Sequence, residues 1–190
     1  MTVNELCLRA LDDLRRVFER LDDAPVERAV GLIAGARRIA LYGCGREGLQ
    51  IRGLCMRLFH LGLDVAMVGD MTAPALGPGD LLILSSGTGQ LATAMALLEV
   101  AKAAGAAILV VTAQPDGPCP RAADHVLIVP AQTMADDMGA DDTGAAVSVL
   151  PMGSLFEGAE FVLFEAMVLR LRDRLGVTPE AMRARHTNLE

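Results

Sequence analysis

Apolar residues recur along the chain with two different spacings, and each spacing predicts a type of element. Residues 3–22 carry apolar side chains at steps of three and four, which predicts an amphipathic helix, and residues 26–35 predict a shorter one. Short continuous apolar runs follow and predict five buried strands, at residues 37–42, 64–68, 81–85, 107–112 and 125–129. Further helices are predicted up to about residue 60 and at about 91–104, 152–175 and 179–185.

This alternation of strands and helices indicates the fold class. Strands joined by helical segments form βαβ units, and such units build a parallel sheet that is covered by helices on both faces. We therefore expect an α/β fold, a three-layer αβα sandwich with a five-stranded parallel sheet. Residues 1–190 are expected to form a single domain, with N-terminal helices at 3–35, an α/β core at 36–130, a loop at 131–149 and C-terminal helices at 152–185.

The composition narrows the classes of function. With 52% hydrophobic residues, the 190-residue chain can bury enough apolar surface to fold. The net charge of −7 disfavours a nucleic-acid partner, because phosphate backbones attract clustered Lys and Arg. The cysteines form no CxxC pair and the histidines lack ligand spacing, so we expect neither a metal site nor a disulfide scaffold. No apolar run approaches the ~20 residues of a membrane span. We expect a cytoplasmic protein with no membrane partner.

A first glycine-rich loop follows the first predicted strand. Residues 43–48 contain the pattern GxGxxG, which occurs at tight strand-to-helix turns and also in dinucleotide-binding folds. Asp70 ends the next strand and fits the dinucleotide interpretation, whereas Glu47 would repel a pyrophosphate. Arg46 is unfavourable for the dipole at a helix start, which predicts that it meets an anion, either a bound phosphate or Glu47.

A second glycine-rich loop follows the third predicted strand. Residues 85–90 read Ser-Ser-Gly-Thr-Gly-Gln and open the next helix. Ordinary N-capping explains one of these hydroxyl groups, but three hydroxyls and two glycines in five residues are more than a cap requires. Free backbone N–H groups and hydroxyls at a helix N-terminus bind anions. This loop therefore predicts a phosphate site.

Six groups of residues, in this order, resemble the sugar isomerase (SIS) domain family and, within it, the 6-phospho-3-hexuloisomerases. The resemblance covers nearly the whole chain, and the two C-terminal groups are its most specific part. The groups are Gly43-Cys44-Gly45-Arg46, Met56-Arg57-Leu58-x-His60-Leu61-Gly62, Val68-Gly69-Asp70-x-Thr72-x-Pro74, Ser86-Gly87-Thr88-Gly89, Leu150-Pro151-Met152-Gly153-Ser154-x-Phe156-Glu157 and Arg185-His186-x-Asn188-Leu189.

The resemblance implies both an architecture and a reaction. The fold would be SIS-type and Rossmann-like, in a homo-oligomer, a dimer or tetramer, with active sites near subunit interfaces. The reaction would interconvert arabino-3-hexulose 6-phosphate and fructose 6-phosphate in the ribulose monophosphate route of formaldehyde fixation. The substrate would be a phosphorylated sugar, and the reaction would need no cofactor and no metal.

The resemblance also assigns roles to individual residues. Glu157 matches the family's catalytic base and His186 its catalytic histidine, and Glu160 is a reserve candidate for the base on the same helix. Substrate and phosphate binding is carried over to Gly43, Gly45, Arg46, Thr72, Ser86, Gly87, Thr88 and Gly89. Two positions depart from the family: Glu47 stands where a Ser is common, and Leu91 where a Thr is common.

Two other hypotheses remain open from the sequence. One is a non-catalytic SIS module that senses a sugar phosphate, and the other is a dinucleotide-binding protein that uses the GxGxxG loop. The helix at 152–175 is apolar on nearly all sides, including Phe161 and Val162, so it needs cover that one small domain does not easily supply. We therefore predict that neighbouring subunits cover part of it.

Overall fold

The computed structural model describes residues 1–137 and 148–189. Eight helices lie in these ranges: α1 Val3–Phe18, α2 Asp23–Gly35, α3 Glu47–His60, α4 Ala92–Ala103, α5 Pro118–Ala122, α6 Met134–Asp137, α7 Ser154–Leu175 and α8 Pro179–Ala184. The same ranges contain five strands: β1 Ile39–Gly43, β2 Val65–Met67, β3 Leu81–Ser85, β4 Ala107–Thr112 and β5 His125–Ile128.

All five strands belong to one parallel sheet, in the order β2-β1-β3-β4-β5. The chain passes from β1 outward to β2 and then returns to the other side of β1 to form β3. The direction of winding therefore reverses between β1 and β3, and their carboxyl ends diverge into loops on opposite faces. The predicted five-stranded parallel α/β fold is confirmed.

Alternate residues of each strand pack into two separate cores. In β3, Leu81 and Ile83 contact the larger core, which α1, α2, α3 and α7 cover, whereas Leu82 and Leu84 contact the smaller one beneath α4 and α5. Because successive side chains of a strand point to opposite faces, a strand covered on both sides must be apolar throughout. This explains the continuous apolar runs in the sequence, and it confirms the three layers.

Local structure differs from the sequence-based expectation in two loops. Pro118 begins α5 in a segment expected to be irregular, and proline suits the first position of a helix because its φ is already helical. Residues 134–137 form the short helix α6 inside the expected loop 131–149. The Oδ2 atom of Asp136 accepts hydrogen bonds from the backbone N–H and the hydroxyl of Thr133, which stabilises this turn. Residues 138–147 of that loop lie outside the described residues.

The long helix α7 is largely covered within the chain. Phe156, Leu163 and Leu171 are buried against the helices of the larger core. Phe161 and Leu169 remain 59% and 50% exposed, so part of the apolar surface of α7 is uncovered within the chain. Across residues 1–137 and 148–189, the helices lack the combination of length and hydrophobicity that a membrane span requires.

Candidate active site

The two glycine-rich loops lie side by side at the carboxyl edge of the sheet. Gly43 at the end of β1 is the register partner of Ser85 at the end of β3. The first loop, residues 43–48, runs into α3, and the second loop, residues 85–90, leads to α4. Open parallel sheets bind their ligands at this switch in strand order, so the fold places both loops where a substrate is expected.

Backbone packing requires the glycines of the first loop. A Cβ atom on Gly48 would lie 2.6 Å from the carbonyl oxygen of Gly43, and Gly45 has a φ of +58°. Glu47 is the first residue of α3, so a carboxylate stands at the helix N-terminus where a dinucleotide fold holds a pyrophosphate. The GxGxxG pattern therefore marks a tight turn, and its surroundings disfavour a dinucleotide.

The second loop leaves backbone donors at the start of α4 without a side-chain cap. Leu91 occupies the N-cap position, and its side chain makes no capping hydrogen bond. Thr88 is partly exposed, and its Oγ1 donates to the carbonyl oxygen of Gln90 at 3.3 Å. Ser86, by contrast, is buried, and within the described ranges its Oγ has no hydrogen-bond partner. The uncapped N–H groups of the first turn of α4 are available to an anion.

Besides the two loops, α7 contributes to the site through Glu157, which lies on its first turn. Its side chain is 15% exposed, and its Oε1 is 3.1 Å from Nε of Arg46. Arg46 also donates to Oγ of Ser154 at 3.0 Å and to the carbonyl oxygen of Met152. Partial burial raises the pKa of Glu157, the charge of Arg46 opposes this shift, and the charge of Glu47 adds to it. The anion that Arg46 meets within the chain is therefore Glu157, and the expectation of Glu47 is wrong.

Glu47, where the family often has Ser, spans the gap between the two loops. Its Oε2 accepts a hydrogen bond from Ser85 Oγ at 2.6 Å, and its two carboxylate oxygens lie 3.0 and 3.2 Å from the backbone nitrogen of Gly87. A Cβ atom on Gly87 would lie 3.0 Å from Glu47 Oε1 and 3.0 Å from the ring of Phe156. The Glu47 carboxylate thus already binds one amide of the predicted phosphate loop.

Glu160 lies one turn beyond Glu157 and is completely buried. Its Oε1 is 2.6 Å from Ser85 Oγ, and its Oε2 has no hydrogen-bond partner within residues 1–137 and 148–189. Burial raises the pKa of Glu160 well above its ordinary value; the hydrogen bond between Glu160 and Ser85 opposes this shift, and the charges of Glu47 and Glu157 add to it. The spacing of three residues predicted that Glu160 shares a face with Glu157, but not that it is sealed from solvent.

Two of the predicted site residues lie apart from this cluster. Thr72 is exposed in the turn after β2, at the same edge of the sheet, and no hydrogen bond joins it to either loop among the described residues. The ring of His186 stacks on that of His60, with centroids 5.3 Å apart, at the C-terminal end of α3. Because Glu47 begins the same 14-residue helix, His186 lies roughly 20 Å from the loops of its own chain.

Sequence reasoning missed the contacts that orient Arg46. Met152 has a φ of +55°, in the left-handed region that residues other than glycine rarely adopt, and Gly153 follows with a φ of +82°. These two conformations bring the Met152 carbonyl and the Ser154 hydroxyl to the guanidinium of Arg46. The adjacent Met-Gly-Ser was visible in the sequence as part of the family resemblance, but its role in holding an arginine was not.

Comparison with known protein families identifies the domain. The sequence model of the SIS domain family matches residues 32–152, which span the sheet and both glycine-rich loops. The chain belongs to the SIS domain family. The resemblance noted in the sequence is therefore confirmed.

Several relatives of this SIS protein are named 3-hexulose-6-phosphate isomerase. A 3-hexulose-6-phosphate isomerase of Mycobacterium gastri is 38% identical over 179 residues, which cover 94% of this chain and 87% of the relative. One of Methylomonas aminofaciens is 37% identical, with 93% and 94% of the two chains covered. A solved structure from Methanococcus jannaschii, for which a 3-hexulose-6-phosphate isomerase function was inferred, has a TM-score of 0.79 at 25% identity and covers 97% of both chains.

Proposed function

We propose that this SIS protein is a 3-hexulose-6-phosphate isomerase, which interconverts arabino-3-hexulose 6-phosphate and fructose 6-phosphate. One observation carries the proposal: curated relatives of that name are 37% to 38% identical over nearly the whole chain. We further propose that residues 1–190 act as one cytoplasmic SIS domain in the ribulose monophosphate route of formaldehyde fixation. The reaction moves a carbonyl group between adjacent carbons and needs no cofactor or metal.

Glu157 is the proposed base. It removes the proton from C2 of the 3-ketose, which leaves a cis-enediolate over C2 and C3, and it returns the proton to C3. The proton of the O2 hydroxyl passes to O3, so the product carries its carbonyl at C2. The partly buried position of Glu157 raises its pKa, which increases its strength as a base. Arg46, at 3.1 Å from Glu157, supplies a positive charge next to the developing oxyanion.

The phosphate is proposed to bind at the second loop. Thr88 and the uncapped N–H groups of α4 supply donors there, and Gly89, with a φ of +67°, shapes the turn. Ser86 is assigned to the same loop, although its hydroxyl is buried and would have to turn toward the ligand. The backbone of Gly87 completes this loop. Gly43, Gly45 and Arg46 would contact the sugar from the first loop. Thr72 would bound the binding site at the edge next to β2.

His186 is proposed to act in the active site of a neighbouring subunit. It lies roughly 20 Å from the loops of its own chain, so a contribution to catalysis requires a second copy. The outer faces of three helices are apolar and exposed, as a homodimer or homotetramer interface would require. The exposed apolar residues on these faces are Val3, Leu8 and Leu11 of α1, Leu49, Met56 and Phe59 of α3, and Phe161 and Leu169 of α7.

The proposal is tested by turnover. Purified protein is mixed with 3-hexulose 6-phosphate, and the fructose 6-phosphate that forms is measured by an enzyme-coupled assay. We expect multiple turnovers without added metal or cofactor, and the same rate after treatment with a chelator. Tight binding of the sugar phosphate with no product would instead support a sensor module.

A further inference from the structure

Three oxygen atoms form a continuous hydrogen-bonded chain between the first loop and α7. Ser85 Oγ is 2.6 Å from Glu47 Oε2 and 2.6 Å from Glu160 Oε1, and both distances are those of short O–H···O hydrogen bonds. A serine hydroxyl has one proton and can donate only one of these two bonds. The other bond must be donated by a carboxyl group. One of the two glutamates therefore carries a proton.

The surroundings assign that proton to Glu160. Its side chain is completely buried and Oε2 is unpartnered within the described ranges, which makes a charge on it costly. The charged groups that act on it, Glu47 from α3 and Glu157 from α7, are both acidic. Glu47 is partly exposed, begins α3 and accepts the N–H of Gly87, and each of these features favours a carboxylate.

We propose that Glu160 is a neutral acid that, through Ser85, fixes Glu47 as the carboxylate that binds a hydroxyl group of the substrate sugar. The hydrogen bonds run from the Glu160 O–H to Ser85 Oγ, and from the Ser85 O–H to Glu47. Glu47 contacts the substrate, whereas Ser85 and Glu160 are positioning residues that act through it. This proposal rests on the proposed isomerase function and names specificity-determining residues of the same site.

The free hydrogen-bonding capacity of Glu47 selects a hydroxyl as its ligand. An ionised carboxylate only accepts hydrogen bonds, and within residues 1–137 and 148–189 Oε1 of Glu47 has a single long one, 3.2 Å from the nitrogen of Gly87. A sugar hydroxyl donates to such an oxygen, whereas a phosphate would meet a like charge. The phosphate then binds further along the second loop, at Thr88 and the start of α4, where donors are uncapped. Glu47 of the first loop thus binds the sugar, and the second loop binds the phosphate.

The protonation state is tested by infrared difference spectroscopy at neutral pH. We expect the carbonyl stretching band of a protonated carboxylic acid in the unmodified protein, and we expect Glu160→Gln to remove it. Absence of this band, or a band that persists in Glu160→Gln, would overturn the proposal. This measurement needs no substrate and no turnover, so it remains decisive if the isomerase assay fails.

The role of Glu47 is tested by separating sugar affinity from phosphate affinity. In Glu47→Gln we expect the KM for 3-hexulose 6-phosphate to rise about 10- to 100-fold, the range for losing a hydrogen bond to a charged group. We expect inorganic phosphate, measured by calorimetry, to bind more tightly because a like charge has gone. If both affinities increase, Glu47 faces the phosphate and the proposal is wrong. The phosphate arm again works without turnover.

The positioning role is tested by rescue. Ser85→Ala and Glu160→Leu each interrupt the hydrogen bonds that join Glu160 to Glu47 through Ser85. Each should raise KM about 10-fold. In Glu160→Gln the amide N–H still donates to Ser85, so we expect most of the affinity lost in Glu160→Leu to return. Equal damage from Gln and Leu would contradict a neutral Glu160. Ser148→Ala is the matched control: it removes a hydroxyl 2.6 Å from the Asp13 carboxylate, outside the site, and should leave KM unchanged.

Discussion

At the amino edge of the sheet the buried carboxylate of Asp80 is fully paired, whereas at the carboxyl edge the buried carboxyl of Glu160 is not. Asp80 accepts two hydrogen bonds at 2.9 Å from Arg37 and one at 2.8 Å from the backbone of Gly77. These bonds, led by that of Arg37, lower the pKa of Asp80. Among the described residues, Glu160 is hydrogen-bonded only to Ser85, its other carboxyl oxygen has no partner, and its acidic neighbours raise its pKa further.

This difference distinguishes Asp80, an acid that stabilises the fold, from Glu160, an acid of the candidate active site. Asp80 ties the chain before β3 to the chain before β1 through Arg37, and its third hydrogen bond, from Gly77, stabilises the turn before β3. A buried carboxyl with a missing partner lowers stability, and proteins retain such groups mainly at functional sites. The carboxyl edge also contains Glu157 and Glu47, so the unfavourable charge is concentrated where substrate is expected to bind.

The largest expected effect is the loss of catalysis when Glu157 is neutralised. Glu157→Gln keeps the shape but removes the base, so we expect kcat to fall about 10²- to 10⁴-fold. Glu165→Gln, on the same helix and paired with Arg57 outside the site, should keep the unmodified kcat. Steady-state kinetics on both variants check this. Equal kcat values in the two variants would show that Glu157, at the carboxyl edge, matters no more to catalysis than a carboxylate outside the site.

The next largest effect concerns His186, which lies at the C-terminal end of α3 and is proposed to act in the active site of a neighbouring subunit. We expect His186→Ala to lower kcat about 10²-fold, because a general acid or base is lost from the neighbouring site. A mixture of Glu157→Gln and His186→Ala subunits, unfolded and refolded together, should be more active than either variant alone, since some sites then combine both intact residues. A mixture with no regained activity would place His186 outside catalysis. Sedimentation equilibrium should find a dimer or tetramer at micromolar concentration.

The two buried acids should respond to pH with opposite signs. The folded-state pKa of Glu160 is raised above its ordinary value of 4.5, so the folded protein holds the proton more tightly and loses stability as pH rises above that value. Glu160→Gln should remove this loss, which amounts to at most about 1.4 kcal/mol per pH unit. Thermal unfolding of both proteins from about pH 2 to about pH 8 measures it.

Asp80 supplies the contrasting arm of that experiment. Its pKa is lowered from 3.8, so its contribution to stability is complete above that value and is lost as pH falls through the lower, folded-state pKa. Asp80→Asn should therefore be less stable than the unmodified protein at neutral pH, with a smaller difference in strong acid. The same pH trend for Asp80→Asn and Glu160→Gln would remove the distinction between the two edges.

The smallest effect distinguishes two glycines of α3. A Cβ atom on Gly53 would meet no atom of the described part of the chain within 4 Å, so Gly53→Ala should raise stability by about 0.5–1 kcal/mol through its higher helix propensity. At Gly48 the Cβ atom would lie 2.6 Å from the Gly43 carbonyl oxygen, so Gly48→Ala should lower stability and also kcat. Denaturant unfolding and the turnover assay measure both. Two stabilising substitutions would indicate that the first loop is loosely packed.

Much of the fold was predictable because local patterns and tertiary structure agree. β3 and β4 begin and end at the predicted residues, since every apolar side chain in these strands packs into or against one of the two cores. Elements held by particular contacts were less predictable. The helix α5 depends on Cys119, which donates its backbone N–H to the Gly89 carbonyl, a contact between residues 30 positions apart.

The site was predictable in its parts and unpredictable in its connections. The sequence marked Glu157, Arg46 and the two loops, but it offered Glu47 or a phosphate as the partner of Arg46, and the observed partner is Glu157. Hydrogen bonds between residues more than one hundred positions apart, such as Arg46 to Ser154, leave no periodic signal in a single sequence.

By itself, the sequence determined that this protein is an α/β domain with two glycine-rich loops at the carboxyl ends of strands. Hydrophobic spacing and glycine positions are local properties, and they carry that information directly. Only the tertiary structure decided that Ser85 joins two glutamates, that Glu160 is sealed from water, and that His186 stands away from its own loops. Burial and hydrogen-bond distance depend on which helices pack together, and that packing is a property of the whole chain.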